Sequence, residues 1–259
     1  MSEGERSAIL AENTETGPRK RGRARGAAGP GRERSRMIKA VIFDMDGVII
    51  DSEPVYLNYL YEYARKKNPR VQLADLYGTV GTTKKDCWSV VERAVATGES
   101  WETLHAEYLG RWTDIFNEVD YLSIFRPQVL GVMDRLKEMG LRLAVASATN
   151  IEQVEKILKE NGVASRLERM VSASTFKRSK PDPEVYLYTA DQMGLAPAEC
   201  LVIEDSTVGI MAGHAAGMTV AALIDERFAF DRSLADYELG SLEEIVPLAA
   251  RLLKETEEK

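Results

Sequence analysis

The chain has 259 residues, 44% of them apolar and 29% charged, with a formal net charge of −7. That length holds one large domain, or a core domain carrying a smaller insert, and the composition is that of an ordinary folded protein. No apolar run is long enough for a membrane-spanning helix, and the two cysteines, Cys87 and Cys200, form no ligand pattern and are expected as reduced core or near-core residues of a cytoplasmic chain.

Charge is uneven. Residues 1–36 carry nine Lys or Arg against five Asp or Glu, which leaves 25 against 36, a net of −11, for the rest. The basic density falls in Gly17–Arg36, whose Gly, Pro and Arg content builds no core, so residues 1–36 read as a disordered basic N-terminal extension. Nucleic-acid contact by this tail is disfavoured, because no aromatics interleave with its basic residues and the body behind it is acidic. Met37 stands directly before the first strand, as it would if the extension came from an upstream start codon. No apolar stretch follows the basic residues, which argues against a secretory signal.

From Ile38 onward, buried strands alternate with amphipathic helices. The first predicted strand is Lys39–Phe43. No convincing strand follows until residue 125; helices are predicted instead over Val55–Lys67, Asp86–Ala96 and Trp101–Asn117. Trp88, Trp101 and Trp112 all lie here, with Tyr56, Tyr59, Tyr61, Tyr63, Tyr77 and Tyr108, enough aromatic surface for a small helical core. The alternation then resumes with helix Gln128–Met139, strand Leu141–Ala146, helix Ile151–Asn161, strand Met170–Ser172 and helix Glu184–Met193. It closes with strand Leu201–Ile203, helix Ser206–Ala216, strand Thr219–Ala222 and helix Leu242–Leu253. Gly140, Gly162, Gly194 and Gly217 sit near helix ends, where a left-handed cap is wanted.

Strands apolar on both faces and separated by helices imply a parallel sheet covered on both sides. The fold class is therefore α/β, a Rossmann-like parallel sheet core flanked by helices, with an inserted all-helical cap domain. Residues 37–51 and 126–259 form the core and residues 52–125 the cap, placed over the carboxyl ends of the strands.

The chemistry-bearing residues follow strand after strand. Asp44 and Asp46 follow the first, Ser147 the second, Lys180 the third, and Glu204 and Asp205 the fourth. Parallel strands bring these ends to one edge. Several carboxylates with a single lysine and a hydroxyl repel one another without a hard cation, and oxygen ligands suit Mg²⁺. Such a cation leaves room for the oxygens of a phosphoryl group. Asp44 is placed to attack phosphorus, and Asp46, two residues on, to pass protons. Ser147 and the amides of the helix that follows can donate to phosphoryl oxygens, while Lys180 supplies positive charge. Asp205 is the best remaining metal ligand, with Glu204 binding directly or through water.

The segments F-D-M-D-G-V-I-I-D-S-E, A-S-A-T-N, K-P-D-P and I-E-D-S-T-V-G-I-M-A-G-H-A-A-G-M resemble the haloacid dehalogenase-like hydrolase superfamily. More narrowly they resemble its β-phosphoglucomutase-like phosphatases and mutases with a helical cap. The resemblance covers about Met37 to Leu253. It implies that Asp44 forms an aspartyl-phosphate and that Asp46 is the acid and base. Mg²⁺ would be bound by the side chains of Asp44 and Asp205 and the backbone carbonyl of Asp46, with Ser147 and Lys180 holding the phosphate. The dehalogenases of the superfamily lack the second aspartate. The phosphonate hydrolases use a cap lysine, and nothing marks Lys66, Lys67, Lys84 or Lys85 as desolvated; Lys66 and Lys67 are expected in solvent at a helix end.

The implied partner is a small phosphorylated metabolite, acted on by a monomer or weak dimer with no membrane contact. Lys84, in G-T-T-K-K-D, matches the basic residue of the resemblance's substrate-specificity loop, and Thr149 matches a phosphate-contacting hydroxyl. One good phosphoryl site and one doubtful one favour a phosphatase acting on a sugar phosphate over a sugar phosphomutase. A phosphometabolite-binding protein without turnover is the third reading, and no substitution in the motifs supports it. His105 and His214 read as structural, the latter packed against the sheet among small neighbours.

Overall fold

A strand covered on both faces needs an apolar side chain at every position, and A-V-I-F supplies this in β1 (Ala40–Phe43), all four residues of which are buried. The structure is a computed structural model describing residues 37–254; the basic extension read from residues 1–36 lies outside them. Five more strands follow: β2 (Arg142–Ser147), β3 (Arg169–Ser172), β4 (Cys200–Glu204), β5 (Thr219–Leu223) and β6 (Tyr237–Leu239). They form one sheet in the order β3–β2–β1–β4–β5–β6, and every neighbouring pair is parallel.

Alternate side chains of the strands feed two cores. Val41, Phe43, Leu143, Val145, Leu201 and Ile203 face α5 (Gln128–Glu138), α6 (Ile151–Glu160) and α9 (Ile245–Lys254). Ala40, Ile42, Ala144, Ala146, Val202 and Val220 face α7 (Glu184–Gln192) and α8 (Thr207–Ala215). Gly140, Gly162, Gly194 and Gly217 each adopt a left-handed φ between 64° and 82° beyond a helix. The strand order reverses between β1 and β4, and such a switch point opens a crevice at the carboxyl ends of those two strands.

The helical insert follows β1. It comprises α1 (Glu53–Lys67), a 3₁₀ segment at Leu73–Thr79, α2 (Lys84–Val95), α3 (Trp101–Leu109) and α4 (Trp112–Glu118). It has its own apolar centre, in which the rings of Tyr63, Trp88 and Tyr108 meet at centroid distances of 5.3–6.1 Å. Two phenylalanines from the loop after β5, Phe228 and Phe230, belong to the same cluster. The Phe230 ring lies so close to Gly81 that a Cβ there would stand 2.5 Å from it.

The chain leaves and re-enters the core through adjacent linkers. The Asp51 amide donates to Ile124 O at 2.8 Å and the Arg126 amide to Ile49 O at 3.0 Å. Arg126 and Arg227 both donate to the Asp51 carboxylate, and Arg227 also holds Asp225.

Three expectations are corrected. Strand β6 was not anticipated; three residues with a charged centre, Y-E-L, carry no buried-strand pattern. The single helix expected over Trp101–Asn117 is broken after Leu109, where Gly110 weakens helix propagation. Lys67 is not solvated: its ammonium pairs with Glu99 at 3.0 Å and with Glu107, and lies over the Tyr63 ring. On α8 Gly213 allows close approach to the sheet, since a Cβ there would lie 2.9 Å from Val220.

Candidate active site

Asp44 is the first residue past β1, and its amide donates to Ile203 O at 2.9 Å, carrying the β1–β4 pairing one step beyond the strand. Its carboxylate therefore stands at the switch point, only 6% exposed. Lys180 donates to Asp44 Oδ1 at 2.5 Å, to Glu204 Oε1 at 2.7 Å and to Ala146 O at 3.2 Å. With three acceptors around one ammonium, Lys180 is fully committed. Burial works against its charge, but Asp44 and Glu204 outweigh that cost and hold its pKa well above the usual lysine value.

Glu204, at the end of β4, is as heavily engaged. Its Oε1 also accepts from the Tyr186 hydroxyl at 2.7 Å. Its Oε2 accepts from the Asp205 amide and from the amide and hydroxyl of Ser206 at 3.1–3.3 Å. Gly209 makes this position possible, because a Cβ there would fall 1.8 Å from Glu204 Oε1. Glu204 thus anchors Lys180 and keeps little free capacity as a metal ligand.

Asp46 faces a different set of partners. Its Oδ1 accepts from Ser52 Oγ at 2.8 Å, and its Oδ2 from Thr149 Oγ1 at 2.8 Å and from Ser147 Oγ at 3.5 Å. Burial raises its pKa, against the hydrogen bonds from Thr149, Ser52 and Ser147. Thr149, expected to touch substrate, has its hydroxyl on Asp46 in this arrangement. Ser147 is also turned toward Asp46 and accepts from the Thr149 amide at 3.0 Å. Ser52 belongs to F-D-M-D-G-V-I-I-D-S-E, but a serine just before a helix reads as a cap, and its link to Asp46 depends on the turn between them.

Side-chain oxygens of Asp44, Glu204 and Asp205 lie within 4.8 Å of one another, all buried. Three carboxylates thus face the single ammonium of Lys180. Burial, with Glu204 and Asp46 adding to it, pushes Asp44 up to about 8 against the pull of Lys180. Asp205 is raised well above the carboxylate range, by burial first and then by Glu204, Glu53 and Asp44. Both of its oxygens are buried with no hydrogen-bond partner. A buried carboxylate left unpaired costs several kcal/mol, on the order of a full desolvation penalty. An all-oxygen cluster with orphaned lone pairs fits a hard divalent cation.

Residues 41–223 match the sequence profile of the haloacid dehalogenase-like hydrolases. The chain belongs to that family. Hexitol phosphatase B of Escherichia coli (strain K12) is 32% identical over 223 residues, which cover 81% of this chain and 95% of the relative. The phosphorylated carbohydrates phosphatase of Thermotoga maritima is 28% identical over 182 residues, covering 70% and 82%. Two solved structures share the fold. CbbY from Rhodobacter sphaeroides, in complex with phosphate, superposes with a TM-score of 0.64 at 22% identity, covering 81% of this chain and 96% of its own. β-Phosphoglucomutase from Clostridium difficile gives 0.64 at 20% identity, covering 86% and 100%. Family membership makes the chain a hydrolase, and its named relatives place it among the phosphoric monoester hydrolases.

Of the site residues expected for this haloacid dehalogenase-like hydrolase, seven gather at the switch point: Asp44, Asp46, Ser147, Thr149, Lys180, Glu204 and Asp205. Lys84 stands apart. It is exposed on the first turn of α2, where its charge is felt by His105. Glu53, which carried no expectation, is partly buried on the first turn of α1, next to Ser52. Burial, Asp46 and Asp44 together push its carboxyl up to about 8. Among the described residues, no helix is long and apolar enough to cross a membrane.

Proposed function

We propose that the chain hydrolyses a small phosphomonoester, a phosphorylated carbohydrate, with Mg²⁺ as cofactor and through an aspartyl-phosphate on Asp44. The observation that carries this reading is the division of partners: Lys180 holds Asp44 while Ser52 and Thr149 hold Asp46. Both carboxylates are buried; one lies beside the fixed ammonium of Lys180, while the other is held only by hydroxyls, as suits a group that passes a proton. The family and the names of the relatives support the substrate class.

In the first step an Asp44 oxygen attacks phosphorus. The bond from phosphorus to the ester oxygen breaks, and Asp46 gives its proton to the departing alcohol. In the second step Asp46 takes a proton from water as the water oxygen attacks the same phosphorus. The bond to Asp44 then breaks and inorganic phosphate leaves. Lys180, held by Glu204, faces the negative charge that gathers on the phosphoryl oxygens. Asp44 and Asp205 would hold the Mg²⁺, with the main-chain carbonyl of Asp46 and, to the extent its bonds allow, Glu204. Bound there, the cation offsets the surplus of carboxylates and screens them from the phosphoryl oxygens. The helical insert, residues 52–125, acts as the cap that covers this chemistry.

Asp44→Asn tests the proposal. Phosphate release from a panel of sugar phosphates should vanish, and acid-stable labelling of the protein by phosphoryl transfer should vanish with it. Turnover retained by the variant would overturn the assignment of Asp44. Isomerised sugar phosphate in place of free phosphate would mark a mutase.

A further inference from the structure

Beyond Asp46 the cap contains a cavity of about 280 Å³ running between α1, α2 and α3. Its walls are apolar: Leu57, Leu60, Val80 and Leu109 line it, with the rings of Trp88 and Tyr108 meeting at 5.3 Å. At its inner end stands Glu53, the residue after Ser52, whose hydroxyl is 2.8 Å from Asp46. At its outer rim Leu109 is 51% exposed. The cavity therefore leads from beside the proton-passing carboxylate to solvent.

Polar atoms on the walls are few, chiefly those of Glu53, His105 and Tyr108, with the Tyr56 hydroxyl already 3.2 Å from that of Tyr121. Thr79 already donates to Leu76 O at 2.6 Å. Burial, with Glu53 adding to it, pushes the Cys87 thiol up to about 12, so it stays neutral. Burial and the charge of Lys84 push His105 down, leaving beside Trp88 a neutral ring that offers one donor and one acceptor nitrogen. An open-chain polyol brings a hydroxyl on every carbon, and each one desolvated without a partner costs on the order of 1–3 kcal/mol. A sugar ring turns its hydroxyls to its edge and presents a C–H face that aromatic rings accept. Space agrees: an apolar cavity of about 150 Å³ houses benzene, so this one takes a single substituted ring.

We propose that this cavity receives the organic part of the ester as a closed ring, its C–H face on Trp88 and Tyr108 and a ring hydroxyl on Glu53, in preference to an open-chain polyol. The proposal rests on reading the chain as a phosphatase of phosphorylated carbohydrates. It separates this chain from what the name hexitol phosphatase says of its relative.

Methyl glucoside 6-phosphate, whose ring is locked, and glucitol 6-phosphate, which has no ring, carry the same primary phosphate and test it. The expected kcat/KM for the locked ring is about tenfold higher or more, mostly through KM. Leu109→Asn, at an exposed rim position that leaves the fold intact, should reduce the ratio several-fold, and Trp88→Leu should reduce it further. Equal or faster hydrolysis of glucitol 6-phosphate overturns the ring proposal and leaves the phosphatase standing. Calorimetry with the phosphonate analogues of both compounds separates the two readings. No hydrolysis of either ester, with the ring phosphonate still bound about tenfold more tightly, sustains the cavity and sinks the phosphatase. Phosphonates that bind equally, or neither binding, overturn the proposal.

Discussion

Gly47 stands where Asp205 leaves no room for a side chain: a Cβ on Gly47 would lie 1.9 Å from Asp205 Oδ2. The glycine also adopts a φ of +76°, which side-chain-bearing residues rarely take. The glycine of D-M-D-G thus serves the other end of the motif set, by letting the orphaned carboxylate of Asp205, just past β4, reach the cluster. Gly47→Ala should displace Asp205, and a shift of about 1 Å in a reacting group lowers rate on the order of a hundredfold. Phosphate release by the purified variant measures this. The rise in melting temperature on adding Mg²⁺ should shrink in parallel.

The surplus of buried carboxylates predicts an inverted pH dependence for the metal-free protein. Asp44 and Glu53 keep their protons up to about 8 when folded, against ordinary values of 3.8 and 4.5. Between those limits the folded chain binds more protons than the unfolded one, so stability falls as pH rises. In chelator, the melting temperature should decline between about pH 5 and about pH 8, and Asp44→Asn should flatten the decline. Added Mg²⁺ should stabilise more at the upper end of that range. A melting temperature that rises across it would contradict the picture.

The Thr149 hydroxyl lies 2.8 Å from Asp46 Oδ2, so its removal should act first on that carboxylate. The hydroxyl stabilises the ionised form of that carboxylate, so removing it raises the Asp46 pKa further. Thr149→Val should lower kcat about tenfold with little change in KM, and move the pH limb governed by Asp46 upward. A rise in KM at unchanged kcat would restore the role of substrate contact.

The linkers offer a fourth measurement. Arg227 reaches Asp51 Oδ1 at 2.5 Å and Asp225 Oδ2 at 2.6 Å, and Arg126 reaches Asp51 Oδ1 at 3.0 Å. Burial raises the pKa of Asp51, yet the hydrogen bonds and charges of Arg227 and Arg126 outweigh it and lower the value. The tie therefore persists above the ordinary carboxylate range and is lost only in acid. Because about a third of each side chain is exposed, Arg227→Ala should cost no more than about 1 kcal/mol of stability. Hydrogen exchange should accelerate at residues 49–53 and 124–127, and KM and kcat should change together.

The catalytic edge was legible because its signals are local. An apolar run that stops at Asp44, or at Glu204–Asp205, announces a strand end, and parallel strands put such ends together. What escaped was set by contacts across the fold. Ser52 acquires its role through the turn that brings it back to Asp46. Gly209 matters only because Glu204 turns beneath it. Lys67 reads as a solvated helix end, and only the fold brings to it Glu99, from the loop before α3, and Glu107, on α3. Strand β6 has three residues and owes its place to β5. Glu53 opens a helix, as acidic residues commonly do, and only the packing of α1 against the core turns it toward the carboxylates.

The loop after β5 gives the cap a grip that the two linkers alone do not. Phe228 and Phe230 are rooted in the core yet packed inside the helical cluster, with Phe230 seated against the glycine that begins G-T-T-K-K-D. Any rotation of the cap about its linkers would draw two phenyl rings from an apolar interior into water. Withdrawing them exposes surface worth on the order of 2 kcal/mol each. The energy of such a rotation is thus set in part by a segment distant in sequence from both linkers.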